Sequence, residues 1–247
     1  MLVLKVVLVA LDNLQKCSIK NDECISEMYT NALLNIGSVG IPEINMPPIE
    51  PLLFTNVTVK VLDVVTLTLT DGTVKGFSKC QVKKLHIDLD KKSGTQDFLC
   101  DLIIKSNVKV EGSDPAIQGL IGTSSLNGMG NLRVKLEKLF MHFDFPITPF
   151  KKEDGEIYLK ISYKNIKYDF DLEKATFGAE KITVGSQDIS KLLIDFLNQN
   201  FKPMLKTLGG PIFAKATEFF FHFSKLFYEG IPANKYIIED LKRYINK

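Results

Sequence analysis

The chain has 247 residues, of which 45% are hydrophobic and 24% charged, and its 31 Lys and Arg against 29 Asp and Glu give a net charge of +2. This composition is typical of a soluble globular protein with a sizeable core, and the length fits one large domain or two small ones. Lysine pairs are scattered among acidic residues instead of forming one basic face, so we expect no nucleic-acid binding. No run approaches the ~18 apolar residues of a membrane-spanning helix, so we expect no stable membrane insertion.

The N-terminal segment resembles a short secretory signal. Residues 1–11 are mostly apolar, although Lys5 interrupts them and no clear small-residue cleavage site follows. A first strand or helix is the alternative. We predict that residues 1–16 are a signal-peptide remnant and that residues 17–247 form a single secreted domain.

Four cysteines allow three disulfide pairings. Cys17 and Cys24 flank a short loop that a disulfide could staple, and Cys80 and Cys100 lie on neighbouring predicted strands, where a cross-strand bond is sterically reasonable. Their spacing does not fit a zinc site, since no CxxC or Cys/His cluster accompanies them. Buried free thiols in a cytosolic protein are the alternative, but we expect two disulfides and an oxidising compartment.

A first helix is predicted to begin at Asp22, which can cap it, and to end at Gly37. Apolar residues between these two positions recur at helical spacing. Residues 41–51 are too rich in proline for a regular element. We expect this segment to be an extended connection lying against the body of the protein.

Short alternating segments between residues 54 and 184 predict an antiparallel sheet. The first strands are expected around residues 57–61, 67–69, 82–89 and 99–110. Asp71-Gly72 and Lys92-Ser93-Gly94 are hairpin signals. The stretch 119–130 is rich in Gly, Ser and Asn, which indicates a loop or an irregular edge.

Two later strands are long, and each changes phase near its middle. In residues 132–145 the apolar alternation shifts after Leu136, and in residues 157–172 it shifts after Tyr163. Such a slip exposes the buried face unless a β-bulge absorbs it, and bulges bend strands. We therefore expect a strongly curved sheet.

The longest periodic pattern lies near the C-terminus. Apolar residues recur at helical spacing over residues 188–228, which predicts a helix roughly 60 Å long. Pro203 and Gly209-Gly210-Pro211 are expected to kink it, and Gly230 with Pro232 to end it before a short final helix. Because so long an apolar helix needs a long cover, we predict an α+β fold: a long C-terminal helix wrapped by a strongly curved antiparallel sheet, with a short N-terminal helix.

Few residues point to catalysis. His86 and His142 lie in alternating strands and His222 lies in a phenylalanine run, positions more typical of structural or solvent-facing side chains. Asp169 and Asp171 share a strand face, but charged neighbours continue that face outward. No nucleophile-elbow, phosphate-loop, dinucleotide or zinc-protease motif occurs. We expect no enzyme, no cofactor and no metal.

The 17 phenylalanines, against 0 tryptophans, concentrate on the long helix and on the strand before Pro146. They can pack a dry core or line a tunnel for an apolar ligand, and periodicity does not separate the two. A third interpretation places the aromatic segment 219–223 on a membrane surface. Its polar face carries mixed charges rather than the abundant Lys and Arg usual for interfacial helices.

Taken together, the chain resembles the takeout and juvenile-hormone-binding family of insect secreted proteins over nearly its whole length. The matching segments are Cys17-Ser-Ile-Lys-Asn-Asp-Glu-Cys24, Ile49-Glu-Pro51-Leu52, Val74-Lys-Gly76-Phe77 with the strand to Asp90, Gly128-Met-Gly130-Asn-Leu132, and residues 194–201. Two features depart from the family pattern: Phe201 replaces a frequent Trp, and Cys80 with Cys100 are additional.

The resemblance implies a tubular lipid-binding fold that encloses a hydrophobic tunnel for terpenoid, fatty-acyl or quinone-like molecules, with Cys17 and Cys24 forming the N-terminal disulfide. We therefore predict a secreted, monomeric carrier of one elongated hydrophobic ligand; a protein that binds membrane or microbial lipid through its aromatic helix is the alternative. Asn56 begins a glycosylation sequon. The candidate lining residues are Leu33, Val134, Leu136, Phe143, Ile157, Leu159, Ile161, Phe196, Phe201, Met204, Phe213, Phe220 and Phe223.

Overall fold

The first helix, α1, spans Asp22–Ile36 in the computed structural model, which describes residues 14–61, 65–112, 126–162, 164–184 and 187–245. Residues 1–13 of the predicted signal remnant lie outside these ranges. Asn21, one residue before the predicted cap, accepts a hydrogen bond from the Cys24 N–H through its side chain, and Gly37 ends the helix as expected. The apolar face of α1 packs on the sheet.

The chain just before α1 is tied to the C-terminal segment. Cys17 pairs with Ile237 in a short parallel bridge: its N–H donates to the Tyr236 carbonyl at 3.0 Å, and its carbonyl accepts from the Ile238 N–H at 3.0 Å. The Glu239 carboxylate accepts hydrogen bonds from the Ile19 N–H, at 2.9 Å, and from the Ser18 hydroxyl. The C-terminal segment therefore fixes the position from which α1 starts.

The proline-rich connection after α1 is anchored at Glu50. Its carboxylate accepts hydrogen bonds from the Gly76 N–H, at 2.9 and 3.1 Å, and from both the N–H and the hydroxyl of Ser78. The N–H groups of Ile49 and Glu50 donate to the Gly37 carbonyl. Residues 41–51 thus lie against the body of the protein, as predicted, and contain one short 3₁₀ turn at Pro42–Ile44.

Eight strands form a curled antiparallel sheet within the described residues. They are β1 (Leu52–Val61), β2 (Val65–Lys75), β3 (Gln81–Asp88), β4 (Ser93–Gly112), β5 (Leu126–Lys151), β6 (Ile157–Ile161), β7 (Lys167–Val184) and β8 (Gln187–Asp188). The order is β1-β2-β4-β5-β7-β8, with β3 pairing with β4 and β6 pairing with β5. The predicted α+β fold is confirmed.

The predicted phase change in the first long strand is present in β5. The pairing with β4 steps from Cys100–Leu139 to Leu102–Leu136, and Lys138 has a positive φ of 52°. The extra residue restores the inward direction of the apolar side chains on both sides of the step, as a β-bulge does. It also bends the strand, which is why this sheet can curl.

Three predictions about the sheet are wrong. The second phase change is a turn between two separate strands, β6 and β7, and Tyr163 lies outside the described residues. Asp71-Gly72 lies inside β2, where the two residues pair with Thr55 and Phe54 of β1. Residues 126–130 belong to β5 rather than to a loop, and residues 119–125 are outside the described ranges. Lys92-Ser93-Gly94 does mark the β3–β4 hairpin.

The long helix, α2, spans Ser190–Gly230, close to the predicted range. Its break lies at Asn200, with φ −120° and ψ 17°, so Pro203 falls in the first turn of the following segment, where its missing N–H is not needed. The backbone stays helical through Gly209-Gly210-Pro211, contrary to the prediction. Gly209 instead lets α2 lie close to Phe170, whose ring stacks on Phe213 at 3.6 Å. The tail contains two 3₁₀ turns rather than a helix.

The two halves of α2 differ in burial. In the C-terminal half, Phe213, Phe220, Phe221, Phe223 and Phe227 are all less than 9% exposed. In the N-terminal half, Leu192 is 72% exposed and Phe196 is 54% exposed. The sheet therefore covers only part of the helix, although the apolar pattern runs along all of it.

Both expected cysteine pairs are disulfides in the structure. Cys17–Cys24 closes the loop before α1, with a Cα–Cα distance of 5.7 Å. Cys80–Cys100 joins the start of β3 to the middle of β4, next to the bulge, with a Cα–Cα distance of 4.5 Å. The second disulfide therefore fixes the sheet where it bends.

Candidate ligand-binding site

An apolar pocket lies between α1, the proline-rich connection and the C-terminal half of α2. Each helix contributes side chains spaced by three and four residues, so one face of α1 meets one face of α2. The lining residues are Tyr29, Ala32, Leu33 and Ile36 of α1, Met46 and Ile49 of the connection, Phe77, and Phe220, Phe223, Ser224 and Phe227 of α2.

The pocket is narrow in this structure. The enclosed cavity has a volume of ≈ 20 Å³, which suits about one water molecule, while the surrounding crevice with its mouth contains ≈ 340 Å³ of space between atoms. Ligand pockets usually have ~300–1,000 Å³. A ligand larger than a water molecule therefore requires side chains of the lining, or α1, to move.

Aromatic rings of the sheet form the floor beneath α2. The Phe220 ring stacks on Phe143 of β5, with centroids 5.0 Å apart, and meets Phe98 of β4 edge-on at 4.8 Å. Phe77 lies 6.1 Å from the same ring. Such contacts add about 0.5–1.5 kcal/mol each beyond the buried area, so these rings stabilise the packing of α2 on the sheet.

The pocket also has a polar end, formed by Tyr29 and Ser224. Their hydroxyl oxygens are 3.5 Å apart, and the Ser224 hydroxyl lies 3.2 Å from the Phe220 carbonyl, to which it donates. Burial raises the pKa of Tyr29 to about 12, although the contact with Ser224 opposes this. Tyr29 is therefore a neutral hydrogen-bond donor at physiological pH.

The structure brings only part of the predicted lining together. Leu33, Phe220 and Phe223 line the pocket, and Phe143 lies directly beneath Phe220. Other members of the predicted set are buried without lining it: Val134, Leu159, Ile161 and Phe213. A further group is only half-buried: Leu136, Ile157, Phe201 and Met204. Phe196 is on the surface, since the sheet leaves that part of α2 uncovered.

Sequence reasoning missed most of the α1 and connection contributions. Tyr29, Ala32 and Ile36 share the helical face of Leu33, so the periodicity around that residue could have identified them. Ile49 and Phe77 belong to segments that match the family pattern, but no sequence signal assigns them, or Met46, to the pocket lining. Their places depend on how the connection folds back on α1.

The histidines lie outside the pocket. The His86 Nδ1 lies 2.9 Å from a carboxylate oxygen of Asp22, and the His142 Nδ1 lies 2.6 Å from Asp97. His222 is exposed, edge-on to Phe223. Within the described ranges, no group of three or more His, Cys, Asp or Glu side chains is arranged to hold a metal ion.

The aromatic segment proposed for a membrane surface is mostly in the core. Phe220, Phe221 and Phe223 are 6%, 0% and 8% exposed, so they cannot meet a bilayer without unpacking the sheet floor. No helix of the described residues is long and apolar enough to span a bilayer. The burial of these three rings argues against the alternative that placed this segment on a membrane surface.

Known proteins share the sequence pattern and the fold of this chain. The model of the haemolymph juvenile hormone binding protein family matches residues 1–238. The crystal structure of Takeout 1 from Epiphyas postvittana superimposes with a TM-score of 0.76 at 22% identity, covering 91% of this chain and 100% of that one. A lipopolysaccharide binding protein matches at a TM-score of 0.28 and 14% identity, covering 79% of this chain and 36% of that one, which is too low to support a structural conclusion. No curated protein sequence gives a significant match.

Proposed function

Because the chain belongs to the haemolymph juvenile hormone binding protein family, we propose that it carries an elongated hydrophobic molecule in the pocket between α1 and α2, without transforming it. The observation that supports this most directly is the lining, in which aliphatic and aromatic side chains from both helices converge around one serine. Such a surface binds apolar ligands by desolvation and selects them mainly by shape.

The ligand classes that fit are terpenoid hormones, fatty-acyl chains and quinone-like molecules. Burying ~300 Å² of apolar ligand surface contributes roughly 7 kcal/mol before the costs of binding are subtracted. Opening the narrow pocket offsets part of this free energy. The observed affinity is therefore reduced in proportion to the fraction of protein whose pocket is open.

Native mass spectrometry of the purified protein, followed by organic extraction, tests the carrier function. We expect a stoichiometric apolar molecule, or uptake of a fluorescent fatty-acid probe by protein that has been stripped of lipid. Ala32→Leu fills the pocket from α1 and should reduce probe uptake at least tenfold. The matched control is Ala216→Leu on the exposed side of α2, which should bind normally.

Protein that is bare after purification and also takes up no probe would contradict the carrier function. Equal probe uptake by Ala32→Leu and Ala216→Leu, with both variants folded, would place the ligand in another part of the molecule.

Secretion, glycosylation and a monomeric state belong to the same proposal. Two disulfides are the usual feature of proteins in oxidising compartments, and the family model describes haemolymph proteins. Asn56 is exposed on β1, with a φ of 52° that asparagine tolerates. Expression in insect cells should give medium-borne protein whose mass falls on deglycosylation, and Asn56→Gln should abolish that change. Light scattering of the same sample should give the mass of one chain.

A further inference from the structure

The N-terminal half of α2 has an apolar face that the rest of the described protein does not cover. Within residues 190–206 no side chain is fully buried. Phe201 and Leu205 are half-buried and pack against the core. On the exposed side of the helix, Leu192 is 72% exposed and Phe196 is 54% exposed, one helical turn apart. A single exposed apolar side chain needs no explanation, but two neighbouring ones on a helix form a candidate contact surface.

This half of the helix also carries an excess of positive charge. Residues 190–209 contain Lys191, Lys202 and Lys206 against one acidic residue, Asp195, which gives a net charge of +2. The Lys191 Nζ lies 2.6 Å from an Asp195 carboxylate oxygen, whereas Lys202 and Lys206 are exposed and form no ion pair with a described residue. The C-terminal half has equal numbers of Lys and Glu. Bulky apolar side chains beside unpaired lysines are typical of a helix that lies on an anionic membrane surface.

A second copy of the chain is a poorer partner for this face. Leu192 and Phe196 offer roughly 200 Å² of exposed apolar area, whereas a stable interface buries ~800 Å² on each partner. A two-fold dimer through this face would also set the lysines of one copy against those of the other. A bilayer requires no matching shape, and anionic headgroups supply the negative charge that the lysines lack.

We propose that the N-terminal half of α2 docks the protein reversibly on anionic lipid bilayers. Leu192 and Phe196 enter the interfacial region, and Lys202 and Lys206 contact the anionic groups of the lipids. The docking is peripheral, because two apolar side chains bury too little area to anchor a protein stably. The proposal does not depend on the carrier function. For a carrier of apolar molecules, this contact would place the protein where such molecules are dissolved.

An introduced tryptophan tests which surface meets the bilayer, because the chain contains none of its own. Phe196→Trp places this reporter on α2, and Leu53→Trp places it at a 68% exposed position on β1. We expect vesicles that mix phosphatidylserine with phosphatidylcholine to shift the emission of Phe196→Trp to the blue. Brominated lipids in the same vesicles should quench it. The emission of Leu53→Trp, the matched control, should not change.

Co-sedimentation with the same vesicles tests the role of the lysines. Lys202→Gln combined with Lys206→Gln should weaken binding roughly 25-fold, since each lysine near an anionic surface contributes about fivefold. Lys75→Gln combined with Lys105→Gln removes the same charge from exposed positions of the sheet and should weaken binding by about twofold at most. All these positions are exposed, so each variant should keep the melting temperature of the unaltered protein.

The opposite results would overturn the proposal. It is wrong if the protein does not sediment with the mixed vesicles, or sediments equally with vesicles of phosphatidylcholine alone. Equal losses in the two double variants would show that binding follows net charge, and a blue shift at both tryptophan positions would show that α2 is not the contact. A blue shift without vesicles, with twice the mass of one chain in light scattering, would identify a second copy as the partner. Uptake of the fluorescent fatty-acid probe is measured separately, so none of these results decides the carrier function.

Discussion

Glu50 shows how one side chain holds a segment that has almost no regular structure. Its carboxylate is the shared acceptor for the backbone of Gly76 and for the backbone and hydroxyl of Ser78. Ile49, the residue before it, lines the pocket, so this anchor also fixes part of the pocket wall.

We expect Glu50→Ala to lower the free energy of unfolding by about 1–3 kcal/mol, because several partly buried donors lose their acceptor. Glu50→Gln retains one acceptor oxygen and should lose less. Urea denaturation of both variants measures this, with Glu43→Ala at an exposed position of the same connection as the control. A Glu50→Ala midpoint equal to that of Glu43→Ala would show that the anchor is dispensable.

His142 gives the protein a pH-dependent contact on the outer face of the sheet. The hydrogen bond to the Asp97 carboxylate is the main cause that raises the pKa of His142, and Asp144 at 3.5 Å adds to it. Asp169 faces it from β7. A raised folded-state pKa stabilises the protein fully below the unfolded value of about 6.5, and this contribution is lost as pH rises through the folded value.

The melting temperature of the unaltered protein should therefore exceed that of His142→Gln by more at about pH 5.5 than at about pH 8.5. Because the side chain is 35% exposed, the effect is expected to be small and to shrink with added salt. His222→Gln, at an exposed position on α2, is the control. A difference that grows with pH would contradict this assignment.

At the scale of elements, the periodicity of α2 predicts the length of the helix but not which of its apolar residues are buried. The spacing of apolar residues predicted the length of the helix almost to the residue. It did not predict that Leu192 and Phe196 lie at the surface, because the sequence pattern of a helix does not encode how far the sheet reaches along it. The break in the helix also differs from the prediction. It lies at Asn200, whose non-helical backbone lets Pro203 stand in the first turn of the next helical segment.

This contrast predicts different costs for the same substitution. Phe220→Ala removes a ring packed between β4 and β5 and should cost about 3–5 kcal/mol, whereas Phe196→Ala should stay within about 0.5 kcal/mol. Urea denaturation of the two variants measures both. Similar losses at the two positions would mean that the N-terminal half of α2 is covered in solution.

In the sheet, turn-forming residues predicted the strand ends less reliably than the alternation of apolar residues predicted the strands. Asp71-Gly72 is a typical hairpin pair, yet it lies within β2 because pairing with both β1 and β4 outweighs the local turn preference. The bulge at Lys138 was predictable, since a phase change inside a long strand requires one. The similar phase change after Ile161 separates β6 from β7, as a phase change alone does not distinguish a bulge from a strand end.

At the scale of the whole molecule, the pocket joins residues as far apart in the chain as Tyr29 and Ser224, which are separated by 195 positions. The helical faces that meet there could be predicted one at a time. Their meeting could not, since it depends on the curvature of the sheet and on the path of residues 41–51. Sequence reasoning therefore identified the elements that build the site and only some of its residues.

The Cys80–Cys100 disulfide joins β3 to β4 beside the bulge, so its removal should destabilise the whole fold. Replacing both cysteines by alanine should lower the free energy of unfolding by about 3 kcal/mol, the loop-closure value for a sequence separation of 20. Denaturation with and without reductant measures it. Reductant should destabilise the unaltered protein by more than the variant, which keeps only Cys17–Cys24; equal effects would mean that Cys80–Cys100 contributes nothing.

The bridge between Cys17 and Ile237 has a consequence for synthesis on the ribosome. A nascent chain that has not yet exposed Tyr236 lacks the backbone partners that hold the start of α1, however complete its sheet is. The Cys17–Cys24 disulfide, by contrast, requires only that the chain has been synthesised as far as Cys24. The covalent loop can thus form early in translation, and α1 can pack on β3 as soon as that strand is made. The segment before α1 gains its backbone partners only after Ile238 has been synthesised.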